Sequence, residues 1–127
     1  MRRLLDSVVL IDHLRGDRRA TDLMVRLRSE DDELWSVTVV RTEVLGGRRP
    51  GEERATMLLL GALHWLEVDR DLADRAAALM RRYRRSHAGI GITDYLLAAS
   101  AEVLGAELVT LNVRHFPMFP DLEPAYR

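Results

Sequence analysis

The sequence predicts a three-layer α/β/α fold, a mainly parallel central sheet between two layers of helices, and three observations carry that expectation. Short apolar, β-branched segments alternate with helical segments along the chain, and the connections between them are short. The last strand segment, Leu108-Val109-Thr110-Leu111, is continuous in its apolar character, as a central parallel strand covered on both faces should be. No internal repeat or low-complexity linker divides the chain. Its 127 residues, 47% hydrophobic and 31% charged, suit one domain spanning residues 1–127. A domain of that size buries roughly two thirds of the surface its unfolded chain exposes, so it needs no disulfide or structural metal to fold.

Taken in order, Arg3-Leu4-Leu5 reads as a strand, Asp6-Ser7 as a helix start, and Val8 to Leu14 as a helix stopped near Gly16. Leu23, Met24 and Leu27 mark a second helix before the acidic run Glu30-Asp31-Asp32-Glu33, which reads as a solvated loop. Leu34 to Val37 is a second strand. Thr38 is positioned to cap the helix that carries Glu43 and ends at Gly46-Gly47, with Pro50 and Gly51 confirming the break. Glu52 to His64 reads as a helix with Ala55, Leu58, Leu59 and Ala62 on its buried side, leading into a third strand over Trp65 to Val68. In Asp69 to Ser86, Leu72, Ala76, Leu79 and Tyr83 recur at four-three-four spacing, the apolar stripe of an amphipathic helix. Gly89 and Gly91 mark a loop. Asp94 to Leu104 is apolar nearly all round and rich in alanine, a buried and closely packed helix, and Pro117 and Pro120 end regular structure after the fourth strand.

Composition narrows the chemistry. All 19 basic residues are arginine, since the chain has no lysine. That removes phosphotransfer and phosphatase schemes built on a lysine, and a Walker-type nucleotide loop, which ends in Gly-Lys-Ser/Thr. No Gly-x-Ser-x-Gly elbow is present. With no cysteine there is no disulfide, no thiolate nucleophile and no Cys-containing zinc site, which fits a reducing, cytoplasmic setting. Met1 to Leu14 carries Asp6 and Asp12, unlike a secretion signal, and nothing later is long enough to span a bilayer. A formal net charge of −1 argues against a generally basic surface, so nucleic-acid contacts must be local.

In open parallel sheets ligands bind where strands end and helices begin. That rule selects Asp6 after the first strand, Glu43 one turn into the helix after the second, Asp94 at the start of the buried helix, and Asn112 beyond the fourth strand. Carboxylates gathered at one edge repel unless a cation neutralises them, and Mg²⁺ or Mn²⁺ suits an all-oxygen set. Such an ion activates water and stabilises charge in phosphodiester hydrolysis. Each residue also has a plainer use: Asp6 and Asp94 suit helix capping, and Glu43 an exposed helix surface.

Four segments resemble the signature blocks of PIN-domain ribonucleases, closest to the VapC toxin branch: Leu4 to Asp12, Val37 to Gly47, Ile90 to Ala99, and Leu108 to Phe116. They stand in the family's order and span nearly the whole chain. The resemblance implies a PIN-like fold and a Mg²⁺- or Mn²⁺-dependent endoribonuclease, usually a homodimer. It further implies the toxin of a toxin–antitoxin pair, silenced by a small VapB-type antitoxin. It implies Asp6, Glu43 and Asp94 as the acidic metal ligands. The fourth block departs from an all-acidic pattern, with Asn112 and His115 where many relatives place an aspartate, so one tightly held ion is expected. Asn112 can ligate through its carbonyl or orient a water.

Arginine clasps phosphate with paired hydrogen bonds. Arg114 is the preferred RNA contact, with Arg41, Arg48, Arg49 and the Arg81-Arg82-Tyr83-Arg84-Arg85 run as further candidates; that run also suits a helix C-terminus simply by complementing its dipole. His13, His64, His87 and His115 show no metal-binding spacing, and His115 is the one nearest the candidate residues. Trp35 and Trp65 read as core, while Phe116, Met118 and Phe119 suit either closure of the sheet edge or a dimer contact. Two other readings fit the same residues: a non-catalytic module of this fold whose acidic pocket docks a partner's arginine, and an RNA-processing nuclease without an antitoxin.

Overall fold

The computed structural model describes residues 1–127. In chain order the elements are β1 (Arg2–Leu5), α1 (Ser7–Leu14), α2 (Arg18–Ser29), β2 (Glu33–Val37), α3 (Thr38–Gly46), α4 (Glu53–Gly61), β3 (His64–Leu66), α5 (Arg70–Tyr83), α6 (Ile92–Leu104) and β4 (Glu107–Val109), followed by a 3₁₀ turn at Val113–His115. The strands form one sheet in the order β3-β2-β1-β4, and all three pairings are parallel. Leu4 lies opposite Trp35 on one side and Leu108 on the other. Parallel neighbours need long crossovers, which the helices supply.

Adjacent residues on a strand point to opposite faces. Leu4 and Leu5 are both fully buried, so the sheet is covered on both sides and the fold has three layers. A single cluster of 25 buried residues fills the interior. α6 contributes seven consecutive buried residues, Tyr95 to Ala101, and packs on β1, β4 and α5. Its alanines let backbones approach closely, as its all-round apolar pattern predicts.

Several local expectations need correction. α4 buries Thr56, Leu59 and Leu60, while Ala55, Leu58 and Ala62 are exposed. The helix begins at Glu53 and stops at Gly61, so its buried stripe is rotated from the one the apolar residues suggest. Thr38 starts α3 without capping it; Val37 holds the cap position, and the Thr38 hydroxyl accepts from the Val68 backbone N–H at 3.2 Å. The acidic run is only partly solvated. Asp32 accepts from Arg3 Nε at 2.9 Å and lies 3.5 Å from the Met1 amino group, with its side chain 7% exposed. Trp35 and Trp65 are half-buried, their indole N–H groups donating to Glu33 and to the Leu60 carbonyl.

β4 ends at Val109, two residues before Leu111. The Thr110 carbonyl instead accepts from the Ala125 N–H at 2.9 Å, and the Tyr126 hydroxyl donates to Asp12 at 2.6 Å. The chain after Phe116, which is itself buried, therefore folds back on the β4 side of the sheet. Phe116 lies in the core, and Met118 and Phe119 pack partly against it.

Candidate functional site

Asp6 is the first residue past β1 and the N-cap of α1. Its backbone N–H donates to the Val109 carbonyl at 3.0 Å, tying the end of β1 to the end of β4. Its Oδ1 accepts from the Ser7 N–H at 2.7 Å, and its Oδ2 accepts from the Thr110 hydroxyl at 2.7 Å. The residue is 5% exposed. Burial pushes its pKa above the ordinary aspartate value; the Thr110 and Ser7 donors oppose the shift, and the charge of Asp94 adds to it.

Glu43 projects from α3, the helix that follows the neighbouring strand β2. Its pKa is also raised, first by partial burial and then by the charge of Asp6. The Ser7 hydroxyl pulls the other way and Asp94 adds a smaller push. Asp94 sits in the first turn of α6, where its Oδ2 accepts from the Gly91 backbone N–H at 3.1 Å. The plain capping roles expected for Asp6 and Asp94 are thus both observed. They do not exhaust either group, because an ionised carboxylate has about four acceptor positions.

The carboxylates of Asp6, Glu43 and Asp94 stand near enough that Asp6 feels the charge of Asp94, and Glu43 that of Asp6 and Asp94. They are neighbours, not a closed shell: no three acidic or histidine side chains stand at ligating distance of a common point. The donor set is all carboxylate oxygen, the preference of hard divalent ions, and an ion here would offset the burial and the like charge that raise Asp6 and Glu43. In donor chemistry, though not in a closed geometry, Asp6, Glu43 and Asp94 suit a hard divalent ion.

The fourth block reaches the site by residues other than Asn112. The Asn112 side chain is exposed and makes no hydrogen bond, although its backbone N–H donates to Thr110 Oγ1 at 3.1 Å. Thr110, fully buried, was not singled out from the sequence. Its hydroxyl accepts from Asn112 N and so is oriented to donate to Asp6. The only available signal was a polar residue inside an otherwise apolar strand segment. His115, in the 3₁₀ turn, stands with Nδ1 3.1 Å from Asp94 Oδ2. Arg114 beside it is exposed and pairs with no acid, whereas Arg41 lies over the Trp65 ring at 5.1 Å.

The family model for the PIN domain matches residues 3–119. The chain is 45% identical over 124 residues to Ribonuclease VapC19 of Mycobacterium tuberculosis, an alignment covering 98% of this chain and 99% of that protein. It is 47% identical over 124 residues to Ribonuclease VapC10 of the same organism, covering 97% of this chain and 92% of that one. Among solved structures it is similar to a chain of a toxin–antitoxin complex from Klebsiella pneumoniae, with a TM-score of 0.81 at 25% identity and 98% of each chain covered.

Proposed function

Because this chain belongs to the PIN-domain family, we propose that it is a divalent-metal-dependent endoribonuclease, the toxin of a VapBC-type toxin–antitoxin pair. Relatives of nearly equal length at 45% and 47% identity are named ribonucleases, and a structural relative is part of a toxin–antitoxin complex. Those names favour catalysis over the docking-module reading and an antitoxin partner over a solitary processing enzyme. The single observation that supports the site is that Asp6 and Glu43 are both raised, first by burial and then in part by the charge of neighbouring acids.

Asp6, Glu43 and Asp94 would hold the ion, Mg²⁺ or Mn²⁺, with one ion dominant because the fourth block lacks a carboxylate. When bound, the ion supplies Lewis-acid stabilisation of phosphate charge and a water that ionises more readily. The chain's own residues do the rest. Thr110 and Ser7 fix the Asp6 carboxylate between two donors. Arg114, exposed and free of acidic partners, clasps an RNA phosphate, and the exposed Asn112 amide orients water beside it.

Val25, Met57 and Leu58 stand exposed on α2 and α4, apolar surface of the kind a small antitoxin covers. The proposed assembly is a homodimer bound to that antitoxin, with residues 1–127 acting as one nuclease unit. No helix is long and apolar enough to cross a membrane. The proposed place of action is the cytoplasm, where RNA is available and a cysteine-free chain needs no oxidising environment.

Cleavage of a panel of structured RNAs tests the reading, with purified, antitoxin-free protein in Mg²⁺, in EDTA, and with the Asp6→Asn and Asp94→Asn variants alongside. Cuts that need metal and disappear in both variants are expected. Cleavage that persists in EDTA, or in both variants, would overturn the proposed site.

A further inference from the structure

We propose that the arginine run at the C-terminal end of α5, Arg81, Arg82, Arg84 and Arg85, is a second RNA contact that holds the phosphate backbone beyond the cut. The inference rests on the nuclease reading above and extends it to a surface which that reading leaves without a role.

The pairing of α5 with α6 places the run. The two helices pack on each other, and Arg75, near the start of α5, feels the charge of Glu102, near the end of α6. The link between them is compact: the Tyr83 carbonyl accepts from the Ser86 and His87 N–H groups at 3.2 and 2.9 Å, so the chain turns back as soon as α5 ends. The helices therefore run antiparallel. Arg75 to Tyr83 and Glu102 to Asp94 are equal lengths of helix, about 12 Å at roughly 1.5 Å per residue, so the end of α5 stands level with Asp94. Packed helix axes lie about 8–10 Å apart, which puts these cations at the rim of the acidic edge and not at its centre.

The run is also uncommitted. No acidic residue lies between Asp74 and Asp94, and all four arginines are exposed. Their plain use, closing the helix end, is already filled: the Met80 carbonyl accepts from the Arg84 N–H at 3.0 Å, and the Ser86 hydroxyl donates to the Tyr83 carbonyl at 3.2 Å. None of the four guanidinium groups hydrogen-bonds a carbonyl or pairs with a carboxylate, whereas Arg3, Arg15, Arg19 and Arg75 are each tied to an acid. Arg82 alone has a partner, the Tyr83 ring, whose centroid is 5.4 Å away. Four unshielded cations together select a polyanion, and planar guanidinium groups suit phosphate. The acidic edge repels the RNA it is to cut. A cationic rim offsets that repulsion, which favours RNA over an acidic peptide as the occupant.

The test is fluorescence anisotropy of a labelled single-stranded RNA, titrated in EDTA across a salt series. It compares the full chain with Arg81→Gln/Arg82→Gln, with Arg84→Gln/Arg85→Gln, and with all four changes together; the pairs keep the test open if the fourfold variant melts early. A control changes Arg18, Arg26, Arg28 and Arg54, exposed arginines on α2 and α4, to glutamine and so removes the same charge elsewhere. Each phosphate contact on a single strand adds about 0.7 to the slope of log Kd against log salt. The slope should therefore fall by about 1.4 in each pair and about 3 in the fourfold variant, with affinity down about tenfold or more for RNAs of any sequence. The control should stay near the parent. Unchanged slope and affinity in the α5 variants, an equal loss in the control, or no RNA binding by the parent would each overturn the proposal. Displacement of the RNA by poly-glutamate as readily as by unlabelled RNA would overturn it in favour of an acidic protein partner. Because binding is read without metal, the two readings fail separately: the expected binding losses with no cleavage in Mg²⁺ would bring down the nuclease and leave the RNA contact standing.

Discussion

At the scale of residues, the site is a contest between burial and charge, and Thr110 decides part of it. Removing its hydroxyl in Thr110→Val takes away the donor on Asp6 Oδ2. Mn²⁺ affinity should fall about ten- to a hundredfold with little change of fold, a result that calorimetric titration would check. The raised pKa of Asp6 gives a second prediction with a definite sign. A carboxyl whose native value lies above its unfolded value binds its proton more tightly when folded. The stability it contributes is complete below the ordinary value of 3.8 and is lost as pH rises through the raised native value. Without metal, Asp6→Asn should therefore gain stability over the parent as pH climbs from about 4 to about 7; saturating Mg²⁺ should reverse the order, because the ion favours the charged form. Parallel urea melts would show it, and a constant difference across pH would refute it. Arg114→Ala should raise KM for RNA and flatten its salt dependence while kcat and Mn²⁺ affinity hold. The helix-start positions of Asp6 and Asp94 were legible in the sequence, whereas Glu43 lies in the middle of α3. The role of Thr110 was not legible, because a β-branched residue inside an apolar strand reads as core, and only the fold brings it to Asp6 across 104 positions of sequence.

Among elements, those with strong patterns or clear stops were legible. α5 shows its spacing plainly: Leu72 and Ala76 are buried, and Leu79 and Tyr83 pack partly against the core. α6 ends at Gly105, whose φ of +60° is a conformation glycine adopts without penalty. Gly105→Ala should cost about 1 kcal/mol in a urea melt, despite open space around the added methyl group. α4 was the least legible helix. Met57, Leu58, Leu59 and Leu60 form an unbroken apolar run, so periodicity cannot choose the buried side. The structure chooses Leu59 and Leu60, so Leu60→Ala should cost about 2–5 kcal/mol and Leu58→Ala far less. Strand limits shifted at β3 and β4 because neighbouring pairing, including the returning chain at Ala125, sets where a strand ends.

For the whole molecule, the alternation of strand and helix fixes the class, and burial of both faces of β1 completes the three layers. The order β3-β2-β1-β4 puts β1 in the interior of the sheet, flanked by β2 and β4. The connections after β1 and β2 deliver Asp6 and Glu43, and α6 brings Asp94 to them. Strand order is set by long-range packing and could not be read from local pattern; the ordered family blocks supplied what periodicity lacked. The most direct test of the three-carboxylate site is anomalous diffraction from a crystal of the protein equilibrated with Mn²⁺. One dominant peak is expected, within about 2.0–2.2 Å of oxygens from Asp6, Glu43 and Asp94. No peak at saturating Mn²⁺, a peak bound by other residues, or two fully occupied ions would contradict it.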